Sequence, residues 1–474
     1  MMDHVCISTA FESLPDAIIL QILSYLQQSE LLTIQLVSKR LRFLSMDPCL
    51  WRYCDFSNRS NAFLTGAAKS VILRQLRVIK ITSTHVPFEL LKSALRSENL
   101  KAISLKESRV RNSSEESDPP SQREPDINEM RCAVKFLDLQ GTYGNINLLE
   151  EYIFYEGQGL EAFGLPQMTS SLTQKKLASG MPLLRVLDCK ECAWFDDRLM
   201  LHISKSCIHL EFLSAMRCLN FTGKYLQYLL SGCKKLRSLN LQRTRLTDIT
   251  VRGLDWEETA LEELDISHCY GLDEEGFMAI LPNLKKIKYL RTALTDDVLN
   301  QMGAVSSSIE IFELRRRYPL NPSCVSALLC LCLNMQYLDI SLTPVESKCF
   351  RNFLRNMPKL RQISFAGHET LGTSEILREI RRNCKDIENV SINYYHANRD
   401  ESLKDALINM ARHSPKLVTV ALQGFFIQRL VHELQVIMEE SIFCNKIRFL
   451  YSTTVELPCM KHGLENAFLK YTRS

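Results

Sequence analysis

The sequence predicts an α/β chain: a small N-terminal helical unit followed by a curved solenoid, with parallel strands inside and helices outside. Three observations carry this. From Leu76 onward a six-residue pattern recurs, apolar–x–x–apolar–x–apolar, with its first positions mostly about 23 to 27 residues apart; self-similarity at such a period marks a stacked repeat. A segment with helical apolar spacing follows each copy. Ahead of the repeats, SLPDAIILQILSYL at residues 13 to 26 carries more apolar surface than a short helix buries alone. A chain of 474 residues would ordinarily hold two to four domains, a ceiling that a repeat array escapes.

In chain order, the first element is that apolar helix. Ile18, Ile19, Leu20, Ile22, Leu23, Tyr25 and Leu26 spread over roughly 220° of a helical wheel, against ~100° for a surface helix. Ser29 then caps a second apolar helix with Leu31, Leu32, Ile34, Leu36 and Val37. A basic turn, Lys39 to Arg42, leads to Asp47-Pro-Cys-Leu-Trp51. A unit of about 40 residues lies near the size below which chains seldom fold unaided. Its surplus apolar surface therefore faces a partner or the adjoining repeats.

The repeat copies are clearest at LRVLDC (from Leu184), LEFLSA (Leu210), LRSLNL (Leu236) and LEELDI (Leu261). They continue from Leu284, Ile309, Met335 and Leu360, more weakly from Ile387, Leu417 and Ile447. Earlier ones start at Leu76, Leu100, Val134 and, least clearly, Leu160. In LRSLNL, Leu239 and Leu241 share one face of a short strand, while Ser238, Asn240 and Gln242 face solvent. Following segments such as CFRNFLRNM place Phe350, Phe353, Leu354 and Met357 on one stripe. Leu246-Thr-Asp248 and Leu294-Thr-Asp296 supply threonine caps with aspartate at the positive helix end. Each leucine buried between stacked units contributes about 1.5–3 kcal/mol. About fifteen strands at ~4.8 Å spacing make an inner wall on the order of 70 Å long.

Between Leu100 and Val134 the run RNSSEESDPPSQREPD has no periodicity and reads as a disordered insert, drawn at 108–127. Ser113, with Glu116 downstream, fits an acid-directed kinase; the alternative is an unregulated solvated loop. The solenoid is assigned to 70–455. The tail, 456–474, is expected to cap the final repeat, with Leu464, Phe468 and Leu469 packed down.

Composition narrows the classes. The net charge of +4 is too small to argue for nucleic acid. VSALLCLCLNM is roughly half the ~20 residues of a membrane span, and MMDHVCISTAFE lacks the basic start of a signal peptide. The seventeen cysteines are then expected as free thiols in the cytoplasm or nucleus. Cys192, Cys218 and Cys269 share one repeat slot and Cys207, Cys233 and Cys384 another, so periodicity explains Cys189-Lys-Glu-Cys192 without a metal. No HExxH, GxSxG or phosphate-cradling glycine loop is present, so no cofactor or catalytic centre is expected.

LPDAIILQILSYL, LLTIQLVSKRLRFLS and DPCLW resemble the F-box motif over residues 13 to 51, assigned as a domain at 8–55. Leu14-Pro15 matches the motif's start, Ile22 and Leu23 its first-helix anchors, Leu26 the helix end, and Leu36-Val37-Ser38-Lys39-Arg40 its second signature. Trp51 matches its closing tryptophan. Leu41 departs from the tryptophan more usual there. The strand pattern with its cysteines and threonine–aspartate turns resembles the cysteine-containing subclass of leucine-rich repeats. The order of the two resembles the F-box/leucine-rich-repeat receptors of ubiquitin ligases.

That resemblance implies a non-catalytic receptor. Its F-box docks the Skp adaptor, which hangs from a cullin carrying the RING subunit, and the concave repeat face holds a protein substrate. The implied adaptor contacts are Leu14, Pro15, Ile18, Ile22, Leu23, Leu26, Leu31, Leu36, Val37 and Trp51; the alternative for each is that it only holds the helical unit together. A scaffold that binds Skp and a partner without ubiquitylation is the second reading. On the inner wall, Lys286, Lys288 and Arg291 with Arg315, Tyr337 and Asp339 are substrate candidates, the basic cluster suiting an acidic or phosphorylated segment. Against that stands a solvated surface neutralised by Glu313 and Asp265.

Overall fold

The computed structural model describes residues 13–60, 63–64, 76–111, 134–156, 159–168, 171–314, 319–341, 343, 345, 347–366, 372–393, 401–423, 427–439, 447–451 and 460–472. They form two compact units, one of residues 1–192 with 464–474, the other of 193–463.

The first unit opens with three short helices, α1 (Asp16–Leu23), α2 (Gln28–Ile34) and α3 (Lys39–Ser45), closed by a 3₁₀ turn at Pro48–Trp51. Local chemistry sets their ends. Gln27 and Glu30 form a capping box on α2, Ser38 Oγ accepts the Leu41 N–H at 3.1 Å, and Asp47 accepts that of Cys49 at 2.9 Å. Six parallel strands follow: β1 (Tyr53–Asp55), β2 (Val78–Lys80), β3 (Ala102–Ser104), β4 (Phe136–Asp138), β5 (Ala162–Gly164) and β6 (Val186–Asp188). Their middle residues, Cys54, Ile79, Ile103, Leu137, Phe163 and Leu187, form one buried column.

The second unit carries ten more: β7 (Phe212–Ser214), β8 (Ser238–Asn240), β9 (Glu263–Asp265), β10 (Tyr289–Thr292), β11 (Ile311–Leu314), β12 (Tyr337–Ile340), β13 (Gln362–Ala366), β14 (Asn389–Asn393), β15 (Thr419–Gln423) and β16 (Arg448–Tyr451). Each pairs in parallel with the next. A helix lies between most neighbours, as parallel connections require. Amphipathic examples are Asp197–Ser206, capped by Asp196, and Asp296–Gln301, capped by Thr295.

Two periodic devices hold the stack. From β4 to β11 the residue before each strand forms a charge row of alternating sign, Lys135 through Glu310, with pairs such as Lys135–Glu161 at 2.6 Å and Lys288–Glu262 at 2.7 Å; Arg361–Glu388 at 2.7 Å repeats the device before β13 and β14. Such cross-strand pairs contribute a few tenths of a kcal/mol each, roughly, when this exposed. Beyond the strands the chain bends through left-handed residues in a recurring slot, Glu107, Gly141, Glu191, Arg217, Arg243 and His268. A carboxylate or amide fixes many of these turns, as where Asp138 Oδ1 accepts the Gln140 N–H at 3.1 Å and Asn240 that of Gln242 at 3.0 Å. The slot cysteines are buried, and two of them donate to carbonyls of the preceding repeat, Cys192 to Pro166 at 3.3 Å and Cys269 to Leu241 at 3.0 Å.

The structure corrects four expectations. The first strand, Tyr53–Asp55, lies inside the stretch assigned to the helical unit and pairs with Val78–Lys80, so the strand stack begins ahead of residue 70. Residues 108–111 are not loop: Ser108 is fully buried, and Arg109–Arg111 pairs with His85–Pro87 and with Tyr143–Gly144. The rest of the insert, Ser113 included, lies outside the described residues. The copy anchored at Leu284 is displaced by three residues. A 3₁₀ turn at Leu281–Asn283 delays the strand, so the buried column runs Leu264, Leu290, Phe312. Leu284, Ile287 and Leu290 stand three apart, and the pattern alone fits either register. Lastly, the tail helix Leu464–Thr472 packs against β4, β5 and β6 rather than capping the last repeat.

Candidate functional site

The sequence-predicted docking residues divide by burial. Pro15, Ile18, Ile22, Leu36 and Val37 are exposed, Leu36 at 79%, and Leu14 and Leu26 are half-buried. Leu23, Leu31 and Trp51 are instead interior, none more than 2% exposed. Trp51 is fixed there by a hydrogen bond from Nε1 to the Ser45 carbonyl at 2.6 Å. These three are corrected from contact residues to the core of the helical unit, beside Ile19 and Leu44.

Three further exposed apolar side chains of the same unit, Tyr25, Phe43 and Met46, are not among the expected contacts, although Tyr25 belongs to the apolar stripe. The signal was available for Tyr25, which extends the Ile18–Ile22 stripe by three residues. Phe43 and Met46 flank the buried Leu44 and Ser45, so α3 turns only its Leu44 side inward. Of 21 exposed large apolar side chains among the described residues, 7 fall between Ile18 and Met46. A third of such exposure thus sits in a stretch of 29 residues, the concentration expected of a binding face.

Polar contacts hold this face in shape. The Arg40 guanidinium reaches from α3 to the start of α1, donating to the Leu14 carbonyl at 2.6 Å and to Asp16 Oδ1 at 3.0 Å. It pins Leu14 and Pro15 at the helix entrance. Arg42 Nε donates to the Gln35 carbonyl at 3.0 Å, fixing the turn that presents Leu36 and Val37. Apolar tips are thus carried on a frame ordered in advance, which lowers the entropy cost of docking.

The basic cluster on the strand face takes a different form. Lys286 lies before the strand and is exposed, Leu290 points into the core, and Arg315 lies outside the described residues. Lys288 is paired with Glu262. Arg291 is held between Asp265, at 3.5 Å, and Glu313. Burial pushes Asp265 up, Arg291 opposes it, and the two carboxylates help keep Arg291 charged. With both flanks taken, its fork is not available for a partner's anion. Tyr337 is half-buried with the Arg361 guanidinium 5.9 Å above its ring, and Asp339 is buried, accepting from Ser341 N–H and Oγ at 2.9 and 2.6 Å. The five described side chains do not converge on one ligand position. Among the described residues no group of three or more His, Cys, Asp or Glu is placed to hold a metal, and no helix is long and apolar enough to cross a membrane.

Among the described residues, F-box-like helices are followed by sixteen parallel strands with helices beside them, consistent with a leucine-rich-repeat solenoid. The family model F-box-like matches residues 11–57. Similar solved structures include that of Rad7 and Elc1 in yeast, with 15% identity over 66% of this chain and 86% of that one, at a TM-score of 0.40. The TLR13–ssRNA13 complex is another, with 13% identity over 74% of this chain and 54% of that one, at a TM-score of 0.38. No curated protein matches the chain.

Proposed function

We propose that this chain is the substrate-recognition subunit of a Skp–cullin–F-box ubiquitin ligase. Its N-terminal face docks the Skp adaptor, and its strand face holds a protein substrate. The observation that carries this is the cluster of exposed apolar side chains on the helical unit, within the segment that matches the F-box-like model. Bound to the adaptor, Ile18, Ile22, Leu36 and Val37 leave water, each contributing on the order of 1–2 kcal/mol. Cullin and RING subunit follow through the adaptor. The chain contributes position: substrate and ubiquitin donor share one assembly, so transfer becomes effectively intramolecular. It contributes no catalytic residue, cofactor or metal.

Capture from cells tests the reading. The intact chain should recover Skp together with cullin, and a Leu14→Ala, Pro15→Ala variant should lose both while keeping partners bound to the repeats. Recovery of Skp without cullin, or of neither, overturns it.

A further inference from the structure

The chain's own C-terminal segment lies on the strand faces. In the first unit, the helix Leu464–Thr472 turns Leu464, Ala467, Phe468 and Tyr471 to the wall, a stripe at helical spacing. The Phe468 ring lies 5.0 Å from that of Phe136, and Tyr471 6.0 Å from it. Tyr471 Oη donates to Glu161 at 3.4 Å, and Glu465 pairs with Lys106 at 3.5 Å. The wall has a hole for Leu464: a Cβ on Gly164 would stand 2.5 Å from Leu464 Cδ2. In the second unit, buried Met460 takes the Ser238 hydroxyl on its sulfur at 3.7 Å. Glu263 accepts the backbone N–H of Lys461 at 2.7 Å and that of His462 at 3.4 Å.

The fit in the first unit is incomplete. An open pocket of about 480 Å³ remains along the helix at the wall, lined by Ser104, Phe136, Asp138, Gln140, Leu464 and Phe468 among others. Gln140 Nε2 is buried without a hydrogen-bond partner. A helix of 9 residues is marginal alone in water, so the wall holds it and its tethering makes the contact effectively intramolecular. An occupant that leaves an open pocket at its flank and an unmet donor at the wall is one that a better-fitting helix displaces.

We propose that the helix Leu464–Thr472 is a resident occupant of a partner surface on the strand face of the first unit, and that the partner taken there is an amphipathic helix with bulky apolar side chains at positions i, i+4 and i+7, which binds by displacing the tail helix. This rests on the reading of the strand face as the partner surface. The test uses the full chain and a fluorescent synthetic peptide of residues 458–474. A Leu464→Asp, Phe468→Asp variant, with its thermal transition retained, should bind the peptide at least about 10-fold more tightly than the unaltered chain. Adding Gly164→Leu to that variant should abolish the gain. In the unaltered chain, amides of 465–472 should exchange at least about 10-fold more slowly than in the free peptide. Equal peptide binding by both chains, no binding by the opened one, or unprotected amides would overturn the proposal. None of these readings involves the Skp adaptor, so failure here and failure of the ligase reading are separate results.

Discussion

Asp138 shows how single residues balance on the strand face. Burial is the largest influence on its carboxyl and pushes it up to about 6, against the pull of the Gln140 N–H and with Asp188's charge adding to the rise. A folded pKa above the ordinary 3.8 means the native state holds its proton more tightly than the unfolded chain. Stability from this group is therefore full below about pH 4 and lost as pH rises through 6. Asp138→Asn should stabilise the chain at pH 7 by about 1–3 kcal/mol and lose that advantage near pH 4. Asn240 already serves the same turn. Urea unfolding at the two pH values checks it; a variant weaker at pH 7 than the parent contradicts the burial argument. The sequence announced the turn carboxylates, but not which of them lies deep. Depth depends on the tail packed beside β4, a contact some 330 residues away in the chain that no local pattern encodes.

The three N-terminal helices carry the second contrast, between side chains that hold the element together and those that serve its surface. Trp51→Ala and Leu23→Ala remove buried side chains and should each cost about 2–5 kcal/mol, with thermal unfolding as the measurement. Leu36→Asp should cost under about 0.5 kcal/mol, since its side chain is largely in water. Comparable losses for all three would mean that Leu36 also belongs to the core. Ser38→Ala removes the α3 cap and should cost about 1 kcal/mol. It should also weaken docking by loosening the turn that presents Leu36 and Val37. Helical periodicity revealed the element and the excess of apolar surface. It did not sort Leu23 from Ile22, because a stripe of 220° or so overlaps both inside and outside; only packing against Trp51 and Leu44 separates them. The strand elements were legible because period two and the repeat spacing agree at most copies. They failed where Leu284, Ile287 and Leu290 made two registers equivalent. That slip carried Lys286 onto a face it does not occupy.

For the whole molecule, the order of F-box-like helices and parallel-strand repeats was readable from the N-terminal motif and the long period alone. The return of the C-terminal segment to the strand faces was not, since a solenoid prior places a terminal helix on its nearest repeat. The charge row also went unread, though its alternation is visible once the strands are aligned. Raising salt should therefore cost the repeats little, because these exposed pairs are individually weak; a fall of more than about 5 °C in melting temperature at 1 M salt would assign the row a larger share. The central claim concerns the exposed apolar face on residues 18–46. Its most direct test is the affinity of the purified full chain for a Skp adaptor by titration calorimetry, for the parent, a Leu36→Asp, Val37→Asp variant, and an Ile249→Asp control at an equally exposed site on the repeats. The expected result is binding by parent and control, with the double variant weakened by more than about 100-fold; equal affinity for all three, or no binding by the parent, would contradict it.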